Sequence, residues 1–205
     1  LTGIFIAFEG GDSVGKSTQV ERLAGWLSSR GIAHVVTRQP GGTPVGAELR
    51  RLVLDHSSGD VSARAEALMY AADKAQHVYE LIGPALERGE VVISDRYVDS
   101  MIAYQGAGRA LDIDEVSTIA WWAVGQLRPH LTILLDADPT DAVETIAEKD
   151  RLEDAGIDLH RRARHFFLDL AAADPHRYLV LDARLTREEL AATIATRVAE
   201  QLAPR

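Results

Sequence analysis

Residues Gly10, Gly11, Asp12, Ser13, Val14, Gly15, Lys16 and Ser17 have the spacing G-x-x-x-x-G-K-S of a phosphate-binding loop. What flanks the loop restricts the fold more than the glycines do. The apolar run at 4–8 is strand-like and a helical pattern opens at 18–26, so the loop joins a strand to a helix. In that setting glycines let backbone amides curl around phosphate oxygens, and the helix start adds unpaired N–H groups and positive partial charge. A triphosphate site is therefore expected along Gly10 to Thr18, with Lys16 reaching the outer phosphates and Ser17 ligating Mg²⁺. The plainer alternative is a glycine turn before an ordinary amphipathic helix. Both loop ends and the preceding strand argue against it. The loop points to a nucleoside triphosphate and leaves the fate of the phosphate open.

Four further short runs rich in Val, Ile and Leu, at 34–37, 91–94, 131–135 and 178–181, mostly lack alternation. Such runs suit parallel strands covered on both faces. Helical patterns fall between them at 19–30, 46–54, 63–88, 114–127, 158–173 and 187–201. Strands alternating with helices indicate a doubly wound α/β sheet, in which ligands gather at the carboxyl ends of the strands. The 205 residues suffice for one such domain with a real core. A charged stretch at 144–157 is expected to form a mobile excursion before the helix at 158.

The formal net charge of −9 argues against a nucleic-acid polymer as partner, because neutralising a phosphate backbone requires a basic face. A small phosphorylated ligand needs only a local cationic pocket. With no Cys, thiol chemistry and Cys-based zinc sites are excluded. No apolar run is long enough to span a membrane, and the default expectation is a cytoplasmic protein.

Asp95 and Arg96 end the strand at 91–94, where the metal side of a phosphate-loop site is built and where a guanidinium fork matches a phosphate. A surface Asp–Arg pair is the bland alternative. Arg38 ends the second strand and leads into the turn-rich 39–46. Tyr70 and Lys74 are helical i,i+4 neighbours; an aromatic and a donor so placed can stack a base and bond its edge, although a core Tyr beside a snorkelling Lys fits the spacing equally. Gln105, with both donor and acceptor, can read a base edge.

Taken together and in order, 9–18, 37–50, 65–77 and 95–106, with Asp150, Arg151, Leu152, Glu153, His160 and the ending 174–183, resemble the thymidylate kinases over nearly the whole chain. The resemblance implies the P-loop NTPase fold in a single domain over 1–205: α/β, a five-stranded parallel sheet flanked by helices, with a short lid at about 144–157. It implies transfer of the ATP γ-phosphate to dTMP, Mg²⁺ as cofactor, and a homodimer. By the same resemblance, Asp12 binds the acceptor's 3′-hydroxyl, Arg96 its phosphate, Tyr70 stacks on thymine, and Lys74 and Gln105 hold the base edge. Tyr104 crowds the sugar 2′ position, Arg38 and Arg50 lie near the acceptor pocket, and Asp95 joins Ser17 on the metal side. The nucleophile is a phosphate oxygen already ionised near neutral pH, so positioning and charge stabilisation do the work without a general base.

Where some family members carry a catalytic Arg inside the loop, this chain has Ser13, so the lid is expected to supply it: Arg151 first, Lys149 second. Gln39 stands where Glu is usual, Tyr70 where Phe is usual and Lys74 where Arg is usual. Lysine cannot form a bidentate fork, so its hold on a base carbonyl is looser. These departures leave open a related monophosphate kinase with a shifted acceptor base, or a nucleotide-binding module with weakened catalysis.

Overall fold

The computed structural model describes residues 2–140 and 150–203. Five parallel strands form one sheet in the order β2-β3-β1-β4-β5: β1 Ile4–Gly10, β2 His34–Arg38, β3 Val91–Asp95, β4 Leu131–Asp136 and β5 Tyr178–Asp182. All five fall on the apolar runs of the sequence. Central β1, β3 and β4 are buried almost throughout, which explains their unbroken apolar character. The edge strand β2 departs from that expectation and is half exposed, since no strand covers its outer side.

Helices cover both faces. Phe5, Ala7 and Val92 point to one face, packed by α3 (Ala63–His77), α4 (Gly83–Glu87), α5 (Val98–Met101) and α6 (Ile113–Ala123). Ile6, Phe8, Ile93 and Ile133 point to the other, packed by α1 (Lys16–Ser28) and α8 (Arg187–Leu202). Helix α2 (Pro44–Leu54) lies on α3, and α7 (Ile157–Ala173) closes over Tyr104 and Leu134.

The single helix expected at 63–88 is three pieces: α3, a π-helical turn Val78–Ile82, and α4. Pro84 is the physical reason, because it has no N–H to return to the carbonyl four residues back and its ring crowds that turn. The pattern at 114–127 stops at Ala123, where Gly125 and Gln126 take left-handed backbones. A second π-helical stretch, Ile102–Gly108, continues α5 and carries Tyr104 and Gln105. Of the segment expected as a lid, 144–149, including Lys149, lies outside the described residues; from Asp150 the chain makes a short turn and enters α7 at Ile157.

Candidate active site

The loop leaves β1 at Gly10, which lies so close to β4 that a Cβ there would meet the Leu135 carbonyl at 2.3 Å. Its φ of +129° is a second reason for glycine. Ser13 and Gly15 take positive φ values of 60° and 91°, and α1 starts at Lys16. Among the described residues no side chain caps this helix, and its first turn holds no acid, whereas α2, α3, α6 and α8 are capped by Thr43, Ser62, Asp112 and Thr186. The open amides suit an anion. Ser13 is exposed and Val14 is buried, anchoring the loop to the α1 side of the sheet. Thr18 is half buried on the first turn.

Lys16 folds back so that Nζ donates to the Gly10 carbonyl at 3.3 Å and to the Gly11 carbonyl. Burial lowers its pKa to about 8. The Ser17 hydroxyl donates to Asp95 Oδ2 at 3.3 Å, while Asp95 Oδ1 is buried with no hydrogen-bond partner among the described residues. A hydroxyl and an under-satisfied carboxylate side by side, all oxygen, fit a hard divalent cation such as Mg²⁺.

Across the loop lies a cavity of about 70 Å³ that opens to solvent. Of the residues predicted for the acceptor, Asp12, Arg50, Tyr70, Lys74, Arg96, Tyr104 and Gln105 all line it. Arg38 does not: it is exposed at the end of β2, in register with Asp95. Arg96 has a left-handed backbone (φ 70°) and spreads its guanidinium over three acceptors. These are Asp12 Oδ1 at 2.5 Å, the Gly10 carbonyl at 3.0 Å and Ser100 Oγ at 3.0 Å. Burial pushes the Asp12 carboxyl up, but the charges of Arg96 and Lys16 outweigh it and hold the group below the usual carboxylate range. The Arg96 guanidinium also sits 5.3 Å from the centre of the Tyr104 ring, and that ring meets His160 edge to face at 6.0 Å. Burial raises the phenols of Tyr70 and Tyr104 above the usual tyrosine range, so both stay neutral.

At the end of the cavity away from the loop, Lys74 donates to Gln39 Oε1 at 2.9 Å. An ammonium can only donate, so this bond fixes the Gln39 amide with its nitrogen toward His77 Nδ1, at 2.8 Å. Nδ1 must then be the unprotonated nitrogen, and His77 Nε2–H donates to Thr37 Oγ1 at 2.6 Å. Burial and the Lys74 charge lower the His77 pKa to about 4, in accord with that neutral tautomer. Gly42 fits beneath this chain because it has no Cβ; one there would lie 2.5 Å from His77 Nε2. On the other side Gln105 Nε2 donates to Glu66 at 3.1 Å, and Glu66 is forked by Arg109 at 3.1 and 3.0 Å. Arg50 donates to the Pro40 carbonyl at 3.1 Å.

Sequence reasoning missed Glu66, His77 and Ser100. Positions 66, 70, 74 and 77 recur at the spacing of one helix face, and that mixed polar stripe was the available signal. The predicted lid cation Arg151 is docked on the end of α2, where Nη1 donates to the Val53 carbonyl at 3.1 Å and its amide to the Leu54 carbonyl at 3.2 Å. A cation the sequence did not single out, Arg164 on α7, borders the groove beside Ser13 and Val14. Asp136 forks it there at 2.7 and 2.9 Å.

A parallel sheet of this order, a glycine loop opening into an uncapped helix, and a cavity joined to that loop through Asp12 and Arg96 define a phosphotransferase of the nucleoside monophosphate kinase class. Comparison with known proteins narrows the class. The thymidylate kinase family model matches residues 8–194. The thymidylate kinase of Cutibacterium acnes is 57% identical over 198 residues, 97% of each chain. That of Clavibacter michiganensis subsp. michiganensis is 53% identical over 203 residues, 96% of this chain and 95% of the relative. A crystal structure of thymidylate kinase from Ehrlichia chaffeensis superposes with a TM-score of 0.81 at 28% identity, covering 97% of this chain and all of that one. The chain belongs to the thymidylate kinase family.

Proposed function

We propose that the residues gathered around the phosphate loop divide the family's reaction between a donor side and an acceptor side. The reaction is transfer of the γ-phosphate of ATP to dTMP, giving dTDP and ADP. The observation that carries the assignment is the Arg96–Asp12 pair, which ties the acceptor cavity to the loop at 2.5 Å. On the donor side the loop amides and Lys16 hold the ATP phosphates. Ser17 and Asp95 would hold Mg²⁺, which there offsets charge on the transferring phosphoryl group.

On the acceptor side Arg96 takes the dTMP phosphate and Asp12 the 3′-hydroxyl. Tyr70 stacks on thymine while Lys74 and Gln105 hold its edge. Tyr104, buried against Phe167 and His160, leaves no room at the sugar 2′ position. Arg50 lends positive charge at the rim, and Arg38 adds to the field from outside the cavity. The work is positional, since the attacking phosphate oxygen is ionised already and two anions must be brought together in line. Arg151 leaves its carbonyl partners on α2 to meet the transferring phosphoryl group when the site closes. A second reading gives that task to Arg164, on the observation that it borders the groove at Ser13.

Chromatographic detection of dTDP from ATP, Mg²⁺ and dTMP tests the proposal, with Lys16→Ala as control. Turnover no higher than that control would sink it. A kcat loss of about 10³-fold or more in Arg151→Ala, with Arg164→Ala near wild type, supports the first cation; the reverse pattern supports the second. We further propose one catalytic domain, a homodimer and a cytoplasmic setting. Exposed apolar side chains on three neighbouring helices support the dimer: Leu52 on α2, Leu68 on α3 and Trp122 on α6. A Trp122→Glu chain that sediments like the wild type would count against that surface. No described helix is long and apolar enough to cross a membrane.

A further inference from the structure

Arg96 is non-glycine and left-handed, and its backbone is held on three sides. Its N–H donates to the Phe8 carbonyl at 2.8 Å, its carbonyl accepts from Ser94 Oγ at 2.8 Å, and the next N–H, of Tyr97, donates to Glu9 Oε1 at 2.8 Å. Glu9 is the last side chain of β1 before the loop glycines and has no exposed surface. Its other oxygen, Oε2, lies 2.5 Å from Ser100 Oγ, and the same Ser100 Oγ lies 3.0 Å from Arg96 Nη1. A hydroxyl has one proton. Arg96 can only donate, so when Glu9 is ionised Ser100 accepts from Arg96 and gives its own proton to Glu9.

We infer that Glu9 is a positioning residue for the transfer reaction, acting through the Ser100 hydroxyl to aim the Arg96 guanidinium at the acceptor phosphate. This rests on the acceptor role proposed for Arg96. The polarity of the chain is its content. With Glu9 ionised, Ser100 presents a lone pair to Arg96. With Glu9 protonated on Oε2, the carboxyl donates to Ser100, whose second lone pair can still accept from Arg96 but whose proton is no longer held away from the guanidinium, and the carboxylate charge behind the contact is gone. Arg96 then holds Ser100 more weakly, while its bonds to Asp12 and Gly10 remain.

Burial, then the Asp99 charge, raises the Glu9 pKa to about 7, against the opposing pull of Ser100, Arg96 and the Tyr97 N–H. Asp99 on α5 is itself bonded by Tyr178 on β5 at 2.5 Å and faces Arg177 at 3.7 Å. Lys16, Lys74 and Tyr104 also feel the charge of Glu9. The relay is therefore set within the ordinary working range of pH.

Steady-state kinetics on the full chain test this, varying dTMP at saturating ATP and the reverse, for wild type, Ser100→Ala, Glu9→Gln and the double variant at pH 8. Ser100→Ala is expected to lower kcat/KM for dTMP on the order of tenfold, the worth of one hydrogen bond to a charged group. The KM for ATP should stay at its wild-type value, while the melting temperature should fall by no more than a few degrees, since Glu9 keeps the Tyr97 N–H. Glu9→Gln should act in the same direction, and the double variant should be no worse than the more damaged single one. In the wild type, kcat/KM for dTMP should fall as pH drops through about 7. In Ser100→Ala that limb should move to about 6, the acceptor's own second phosphate ionisation.

An unchanged kcat/KM for dTMP in Ser100→Ala overturns the inference, as do additive losses or equal damage to both substrates. If Glu9→Gln does not fold, Ser100→Ala and its pH limb decide alone. Wild-type protein inert toward dTMP would refute the acceptor assignment instead, so the two failures are distinguishable.

Discussion

Replacing Gln39 tests the hydrogen-bonded chain that joins Lys74 to His77 beside the cavity. Gln39 is 2% exposed and joins two groups that cannot reach water: the Lys74 ammonium, 1% exposed, and His77 Nδ1. Gln39→Leu keeps the approximate volume and removes both bonds. Losing an acceptor for a buried ammonium costs about 1.5–3 kcal/mol, and a buried lone pair left unpaired about 1–3 kcal/mol. The sum is about 2.5–6 kcal/mol, or a melting temperature lower by roughly 5–24 °C at about 2–4 °C per kcal/mol for a chain of this size. Gln39→Glu should behave differently. Its carboxylate still accepts from Lys74, and His77 can move its proton to Nδ1, donate to the new carboxylate, and accept from the Thr37 hydroxyl through Nε2. That variant should stay within about 1 kcal/mol of wild type, because each buried polar group keeps a partner. Urea unfolding gives both numbers, and ring ¹⁵N shifts of His77 give the tautomer. A Leu variant within about 1 kcal/mol of wild type, or a Glu variant as unstable as the Leu one, would refute the reasoning.

Two further outcomes follow from the same cavity. The folded pKa of His77 is depressed to about 4 from 6.5, so the unfolded chain binds more protons between those values. Its contribution is complete above 6.5 and is lost as pH falls toward 4, at about 1.4 kcal/mol per pH unit; a His77 ring titrating near 6.5 by NMR would contradict this. Lys74→Arg should lower the KM for dTMP, because a guanidinium can keep Gln39 and still present a fork to the base; an unchanged KM would mean that Lys74 serves only to hold Gln39.

The strands and the loop were legible because short apolar runs between turn signals suffice to mark parallel strands, and the loop's spacing carries its own geometry. The acceptor cavity was legible only in part. Spacing offered Tyr70 and Lys74 as neighbours without deciding between a core pair and a binding pair, and the likeness to a family supplied the rest. The hydrogen-bonded supports were hidden because their partners are far apart in the chain. Glu9 meets Ser100 across 91 residues, Glu66 meets Gln105 across 39, and Gln39 meets His77 across 38. Local periodicity does not encode such pairings. Glu9 was further masked by lying at the end of an apolar strand, where it reads as the edge of the loop. The π-helical stretch at Ile102–Gly108 has no 3.6-residue period and contains two glycines, so it resembles a turn although it delivers Tyr104 and Gln105 to the cavity.

The account stands most directly on acceptor choice. Measuring kcat/KM with ATP and Mg²⁺ across dTMP, dUMP, dCMP, dGMP and UMP tests it in one experiment. The expected result is dTMP first, with UMP, the one ribonucleotide, rejected by the crowding at Tyr104. A clear preference for another base, or equal use of ribose and deoxyribose acceptors, would contradict the assignment of this cavity.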